Sequence, residues 1–310
     1  MLLIINSKVA LAQVPSIIPG LALLTISDIR DSTFAFVNMS TSPGLDGAVI
    51  SVANNERNSD QLRSSLGFNA EITFTNYIFN GYWGLNIVSG NLEDTLTLIG
   101  DNGKNVQLDI TRELIGARGT IGLSFPINQH FKFRPNMSVV VSDLQTVTTI
   151  DDQFVADNNL KTNQVNTNAD LLSFIISLDA LYNRWYDDYN LELTGQYNFI
   201  NTDAISGNSA VLDSTAENHT IQFKGMFSGP TDFNSIDRPW RWNTYANYTN
   251  FLSHNKKSLG YNSLLELGAG LDWQINIKPL NWFGWKSLGF KVGYIVGDNV
   301  TGYSIGLTAQ

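Results

Sequence analysis

Residues 189–199 carry the pattern from which the reading of this chain starts. Tyr189, Leu191, Leu193, Gly195, Tyr197 and Phe199 alternate with Asn190, Glu192, Thr194, Gln196 and Asn198. A period of two sends one set to one face of a strand and the other set to the opposite face. Upstream, "LLSFIISLDALY" from Leu171 to Tyr182 is apolar enough to suggest a helix. As a helix it would crowd Asp179 against Ile175 and Ile176, whereas as a strand it places Ser173, Ser177 and Asp179 on one side. The link "NRWYDD" is short, so the two segments read as an antiparallel hairpin.

The alternation recurs along the chain. Phe131, Phe133, Pro135, Met137, Val139 and Val141 oppose His130, Lys132, Arg134, Asn136 and Ser138. Leu265, Leu267, Ala269, Leu271, Trp273 and Ile275 oppose Glu266, Gly268, Gly270, Asp272 and Gln274. Leu288, Phe290, Val292, Tyr294 and Val296 oppose Ser287, Gly289, Lys291 and Gly293. One face is apolar and the other is polar or glycine. A soluble sandwich also alternates, but these strands run about 10 to 14 residues against the usual five or six. Charges also recur at mid-strand on the second face. The expected fold is all-β: a transmembrane antiparallel β-barrel of about twelve strands, greasy outside and hydrophilic within.

Composition agrees with interleaving. Of 310 residues, 43% are hydrophobic and only 15% charged, below the roughly 25% of a soluble domain. No apolar run reaches the length of a helical span. The net charge of -9, with no basic stripe, argues against nucleic acid as a partner. The absence of cysteine excludes disulfides and thiolate zinc sites.

Twelve strands are expected at 46–54, 66–77, 82–99, 105–125, 129–142, 169–182, 187–199, 217–228, 239–252, 261–275, 286–296 and 300–309. Their links sort into a short set and a longer set that includes 143–168 and 200–216. Barrels of bacterial outer membranes carry short periplasmic turns and longer external loops, which makes the second set external and both termini periplasmic. The seven tryptophans, Trp83, Trp185, Trp240, Trp242, Trp273, Trp282 and Trp285, all fall near the periplasmic ends, as an interfacial girdle would. Pro126, Pro230, Pro239 and Pro279 fall at turns or strand starts, and Pro135, inside a strand, predicts a bulge.

The end of the chain, "VTGYSIGLTAQ", resembles the C-terminal signal read by the barrel assembly machinery, but departs from it in stopping at Gln310 rather than Phe or Trp. Twelve strands, about 270 residues and an apolar segment ahead of them resemble the autotransporter translocator domain, here without a passenger. The resemblance covers residues 46–310 and is architectural. It implies an integral outer-membrane protein that is not an enzyme and takes no cofactor. Its partners would be outer-membrane lipid, lipopolysaccharide and the assembly machinery. It also implies a lumen helix ahead of the first strand. "PSIIPGLALLTISDIRDS", residues 15–32, is either that helix or a periplasmic lead. The expected organisation is a signal-peptide remnant over 1–12, ending in Ala10-Leu11-Ala12, a lead over 13–45, and the barrel over 46–310.

The lumen-facing charges are the candidate site: Arg118, Lys132 and Arg134 opposed by Asp179, Glu192, Glu266 and Asp272. Paired across the interior they would hold the wall, and unpaired they would set ion preference in a small porin-like channel. A third class, an outer-membrane hydrolase, would need a histidine with converging partners. His254 in "FLSHNKK", beside Ser253 and Asn255, resembles lipid A deacylases over a few residues in the wrong order, and His219 lies near Glu217. The acidic "DDQFVADNN" at 151–159 lacks the glycine and final glutamate of a calcium loop, so no metal is expected.

Overall fold

A computed structural model describes residues 26–42, 47–53, 57–99, 105–150, 166–207, 215–252, 258, 260–275, 287–298 and 300–309. One helix, α1 (Ile26–Thr41), precedes twelve strands. These are β1 (Ala48–Ala53), β2 (Arg57–Thr73), β3 (Asn80–Ile99), β4 (Asn105–Pro126), β5 (Phe131–Ile150), β6 (Thr167–Tyr186), β7 (Tyr189–Gly207), β8 (Ala216–Ser235), β9 (Arg238–Phe251), β10 (Ser263–Gln274), β11 (Ser287–Gly297) and β12 (Val300–Ala309). Each pairs antiparallel with its sequence neighbour, and β1 pairs with β12 to close the barrel. Closure is what allows strands to cross a lipid layer, because it leaves the fewest backbone groups without partners.

Side-chain parity sorts the wall as the period predicts. Leu85, Ile87, Ile121, Val141, Ile176, Leu193, Phe223, Leu267, Val292 and Tyr294 are exposed on the outside. A soluble protein would cover so continuous an apolar band, whereas a membrane barrel presents it to acyl chains. The structure is thus a transmembrane barrel of the outer-membrane kind.

The wall is uneven. Strands β3 to β8 have 19 to 22 residues, but β9 to β12 have 14, 12, 11 and 10. Some 9 to 11 residues cross a bilayer, so the long strands project beyond it. Trp83 lies near the start of β3, Trp185 near the end of β6, Trp240 and Trp242 near the start of β9 and Trp273 near the end of β10, all at one mouth of the barrel. The surplus therefore stands at the other mouth, the one that carries the longer connections. Trp240 stacks on Trp273 at 6.3 Å, and Trp83 meets Phe68 edge-on at 5.2 Å. Trp282 and Trp285 lie outside the described residues.

Strands β5 and β7 extend past their expected ends toward the mouth with the longer connections, to Ile150 and Gly207, and β6 and β8 toward the turns, to Tyr186 and Ser235. Pro135 makes no bulge: the β4–β5 register is the same at Phe125↔Phe133 and at Gly122↔Asn136. The ring merely removes one donor from an otherwise continuous ladder. The register shifts instead at Asp170/Leu171 and between Pro230 and Asn234.

The first strand is short for a physical reason. It pairs with β12 from Ala48↔Ser304 to Val52↔Val300, and with β2 from Ala48↔Arg63 to Ala53↔Asn58. The chain reaches it from inside the barrel, so β1 lines only half the height of the wall. Among the described residues, nothing pairs with that edge of β2 from Ser64 to Thr73 or of β12 from Ile305 to Ala309. Ile305 and Leu307 are accordingly 76% and 78% exposed, against 52% for Val292 on the neighbouring strand.

Candidate functional site

The lumen is occupied by α1. Its residues from Thr33 to Thr41, and Ser42 after them, are all buried. "STFAFVNMST" is rich in β-branched and aromatic residues, which favour strands. Inside a closed wall, however, a segment finds no free edge along its length. Its backbone must satisfy itself, and the helix is the conformation that does so.

Two apolar clusters hold it. Phe34, Phe36 and Val37 pack against Val88, Leu92, Leu114, Val140, Leu144, Leu171, Ile175 and Ile200. Ala35 and Met39 pack against Ile50, Val52, Phe251, Tyr261, Leu264, Ile295 and Val300. The wall is therefore apolar on both faces at this height, which corrects the expectation of a uniformly hydrophilic interior. Gly90 is what lets the helix approach: a Cβ there would stand 2.4 Å from Ser40 Oγ and 2.9 Å from Phe36 Cζ.

Arginines of the wall grip both ends of the helix. Arg112 donates from Nη2 to Ser32 Oγ at 2.7 Å and from Nε to Thr33 Oγ1 at 3.1 Å, with Asp94 3.7 Å from its Nη1. At the other end Arg118 Nη1 donates to the Thr41 carbonyl at 3.1 Å and Arg63 Nη2 to the Ser42 carbonyl at 3.4 Å. The last turn of α1 holds no basic residue of its own. The wall thus supplies the positive charge that a helix C-terminus and its orphan carbonyls attract. Midway, Thr202 Oγ1 donates to Asn38 Oδ1 at 3.0 Å.

These contacts fix the direction of the helix. In β4, Arg112 lies nearer than Arg118 to the 100–104 connection. The N-terminal end of α1 therefore points to the mouth with the longer connections. The sequence left residues 15–32 as either a lumen helix or a periplasmic lead; from Ile26 on, the described chain is a helix inside the lumen. The described helix overlaps residues 15–32 from Ile26 onward, and residues 15–25 lie outside the described residues.

Toward the turn mouth the lumen becomes polar. Arg134 Nε donates to Asp179 Oδ2 at 2.9 Å and its Nη1 lies 3.9 Å from Glu71 Oε1. Lys132 Nζ donates to Glu71 Oε2 at 2.9 Å. Asp179 accepts further bonds from Asn136 at 3.1 Å and Gln196 at 2.9 Å, and the Arg134 guanidinium lies 4.0 Å from the Tyr82 ring centroid. On the far wall, Asn243 donates to Asp272 at 2.6 Å, and Glu266 accepts from Tyr245 at 2.7 Å and from Ser304 at 2.5 Å. Glu192 accepts from Asn190 at 2.8 Å and Asn183 at 3.1 Å. A cavity of about 550 Å³ opens beside this network, lined in part by Glu71, His130, Lys132, Trp185 and Glu192.

The candidate charges therefore sit inside the barrel in a different arrangement from the one expected. Arg134 and Asp179 are cross-strand neighbours, not partners across the interior. Arg118 meets a backbone carbonyl. Neutral side chains, more than the three named cations, hold Glu192, Glu266 and Asp272. Arg63, Arg112, Asp94 and Glu71 were missed because each matters through a contact remote in sequence. One signal was present: Val88 and Leu92, Ile110 and Leu114, Val140 and Leu144, and Leu171 and Ile175 put apolar residues on the inward parity of four consecutive strands. Only something apolar inside the barrel would call for that.

The histidines are less informative. His219 Nδ1 lies 2.6 Å from the Tyr197 hydroxyl, and its ring packs on Phe199 at 5.1 Å. His130 packs near Tyr182 at the turn mouth. His254 and the 151–159 segment lie outside the described residues. Among the described residues no group of three or more histidines and carboxylates is placed to hold a metal.

No protein-family model matches the sequence, and neither does any curated protein. Solved structures do resemble it. The beta domain of the Bordetella autotransporter BrkA superposes with a TM-score of 0.52 at 12% identity, covering 85% of this chain and 96% of that one. The transport unit of the autotransporter AIDA-I from Escherichia coli gives 0.50 at 10% identity, covering 92% and 99%. At such identities the likeness speaks for the fold: a closed twelve-stranded barrel of the kind that autotransporter translocators use.

Proposed function

We propose that this chain is an integral outer-membrane barrel of the translocator kind, non-enzymatic, whose pore is closed by its own helix α1. The observation that carries this reading is the direction of the helix. Its N-terminal end reaches the mouth with the longer connections, the one read as external. The apolar packing on both flanks of α1 and the bonds at its two ends support closure at rest. Outer-membrane lipid and the barrel assembly machinery are the partners this reading implies.

The test uses the absence of cysteine. Asp31→Cys, exposed near the N-terminal end of α1, is expected to react with a membrane-impermeant maleimide in intact cells, while Asn128→Cys at the turn mouth reacts only after the outer membrane is permeabilised. The reverse pattern would overturn the reading. A small porin-like channel is the second reading, favoured by the 550 Å³ cavity at the turn mouth. In planar bilayers the wild-type chain is expected to stay closed. A steady open level would favour the channel instead.

A further inference from the structure

The wall has a slot below β1. Ala48 pairs with Ser304 of β12 on one side and with Arg63 of β2 on the other. Beyond that rung β12 continues to Ala309 and β2 to Thr73, yet the two form no ladder with each other, and among the described residues no strand stands between them. Strands that flank a third are two ladder spacings apart, roughly 10 Å. Three residues on from Ser304 and from Arg63, Leu307 and Leu66 are level across the slot, and both are exposed on the outer face. The Ile305 carbonyl is aimed into the slot, since a Cβ on Gly47 would stand 2.8 Å from that oxygen. Alternate residues of a strand turn their main-chain groups to the same side, so those of Leu307 and Ala309 face the slot as well. Ser42, buried in the lumen with its carbonyl on Arg63, and Gly47 are five positions apart, so this chain has little length to spare for the gap.

We infer that this slot is a docking site for an extended strand of a second polypeptide, which completes the turn-side half of the wall by pairing with β12 and β2 as β1 completes the other half. Main-chain groups are costly to leave unpaired in hydrocarbon, and lipid tails offer them neither donor nor acceptor. A polypeptide strand answers both edges at once, in line with β1 and at the spacing β1 already occupies. Both edges run toward the turn mouth, so an antiparallel guest runs the other way and enters from that mouth. Its outward residues lie among Leu66, Ile305 and Leu307 and are apolar. Its inward residues lie beside Ser65 and Gly306 and are small or polar. The guest is thus a short strand with a period of two. The slot belongs to the wall, and it is there whether α1 fills the pore or leaves it.

Two measurements on the full chain in phospholipid vesicles test it, and the absence of cysteine makes each introduced thiol readable. In the first, Leu66→Cys with Leu307→Cys is expected to form no disulfide under mild oxidant, because bridged residues need Cα atoms within about 7 Å. Rapid bridging would show that β2 and β12 meet, and would overturn the slot. The second uses a short synthetic peptide of alternating valine and serine with one valine replaced by cysteine. It is expected to cross-link to Leu307→Cys several-fold more than to Val292→Cys, which faces lipid from a strand paired on both sides. Moving the peptide's cysteine to a serine position, or replacing its serines by proline, is expected to bring the yield down to that of Val292→Cys. Equal yields at the two protein sites, or yields indifferent to proline, mean that the peptide merely dissolves in lipid, and overturn the docking site. No cross-link at Leu307→Cys, with no disulfide in the first measurement, means that lipid or this chain itself fills the gap, and overturns it too.

Discussion

Gly90 offers the most direct test of the plug. It sits in β3 between Arg63 of β2 and Leu114 of β4, paired on both sides. The wall cannot retreat there without breaking two ladders. An added Cβ would lie 2.4 Å from Ser40 Oγ and 2.9 Å from Phe36 Cζ, both on the helix. Ser40 can rotate its hydroxyl, but Phe36 is fully buried on all sides and has nowhere to go. Gly90→Val should therefore leave the barrel intact, valine being the better strand former, and charge the conflict to the plugged state alone. Overpacking of this sort costs about 1–3 kcal/mol. With tenfold per 1.4 kcal/mol, the unplugged population rises roughly 5- to 150-fold. Maleimide labelling of Ala35→Cys reads that population, and its rate should rise by the same factor. Gly119 is the control, because a Cβ there meets only Leu85 Cδ2 at 3.9 Å, so Gly119→Val should leave the rate unchanged. If Gly90→Val labels no faster than its parent while still folding as a barrel, the helix does not rest against this wall and the lumen assignment is wrong.

The other expectations are simpler. Val292→Arg, at mid-strand on the outer face, should cost about 2–4 kcal/mol and Leu288→Arg, near the strand end, only about 0–1. Urea titration of the barrel in lipid vesicles measures both, and equal costs would argue against a bilayer at that height. Asp179→Leu removes the acceptor of Arg134, Asn136 and Gln196 and should destabilise by about 3–5 kcal/mol, seen as a lower unfolding temperature on heat-modifiability gels. An unchanged temperature would mean that Arg134 is satisfied by Glu71 alone. Ile236 and Asp237 form a hairpin turn with φ of 52° and 56°, a backbone that suits asparagine and glycine. Ile236→Asn should relieve about 1–2 kcal/mol and raise the unfolding temperature. A fall would show that the exposed isoleucine has a contact worth more than its strain.

The number of strands, their parity and the end at which tryptophan collects follow from local rules. Period two is a property of a single strand, and lipid outside imposes it on each of the twelve independently. That is why the barrel could be read residue by residue, and why the expected boundaries of β9 to β12, which hardly leave the membrane, fall within two residues of those found. Strands β5 to β8 run four to eight residues past their expected ends, because ladder pairing with neighbouring strands carries them on.

The interior obeys no such local rule. Leu171 and Ile175 looked like imperfections in an alternating strand until a helix was found against them. "STFAFVNMST" by composition favours extended structure, and only enclosure by a finished wall makes it helical. Arg63 and Arg118 stand on β2 and β4, with β3 between them, and acquire their common role from the two carbonyls at the end of α1. The sequence alone therefore determined the wall, because each strand answers to its solvent. What fills the wall, and which way it points, depended on contacts between residues far apart in the chain, and those exist only once the barrel has closed.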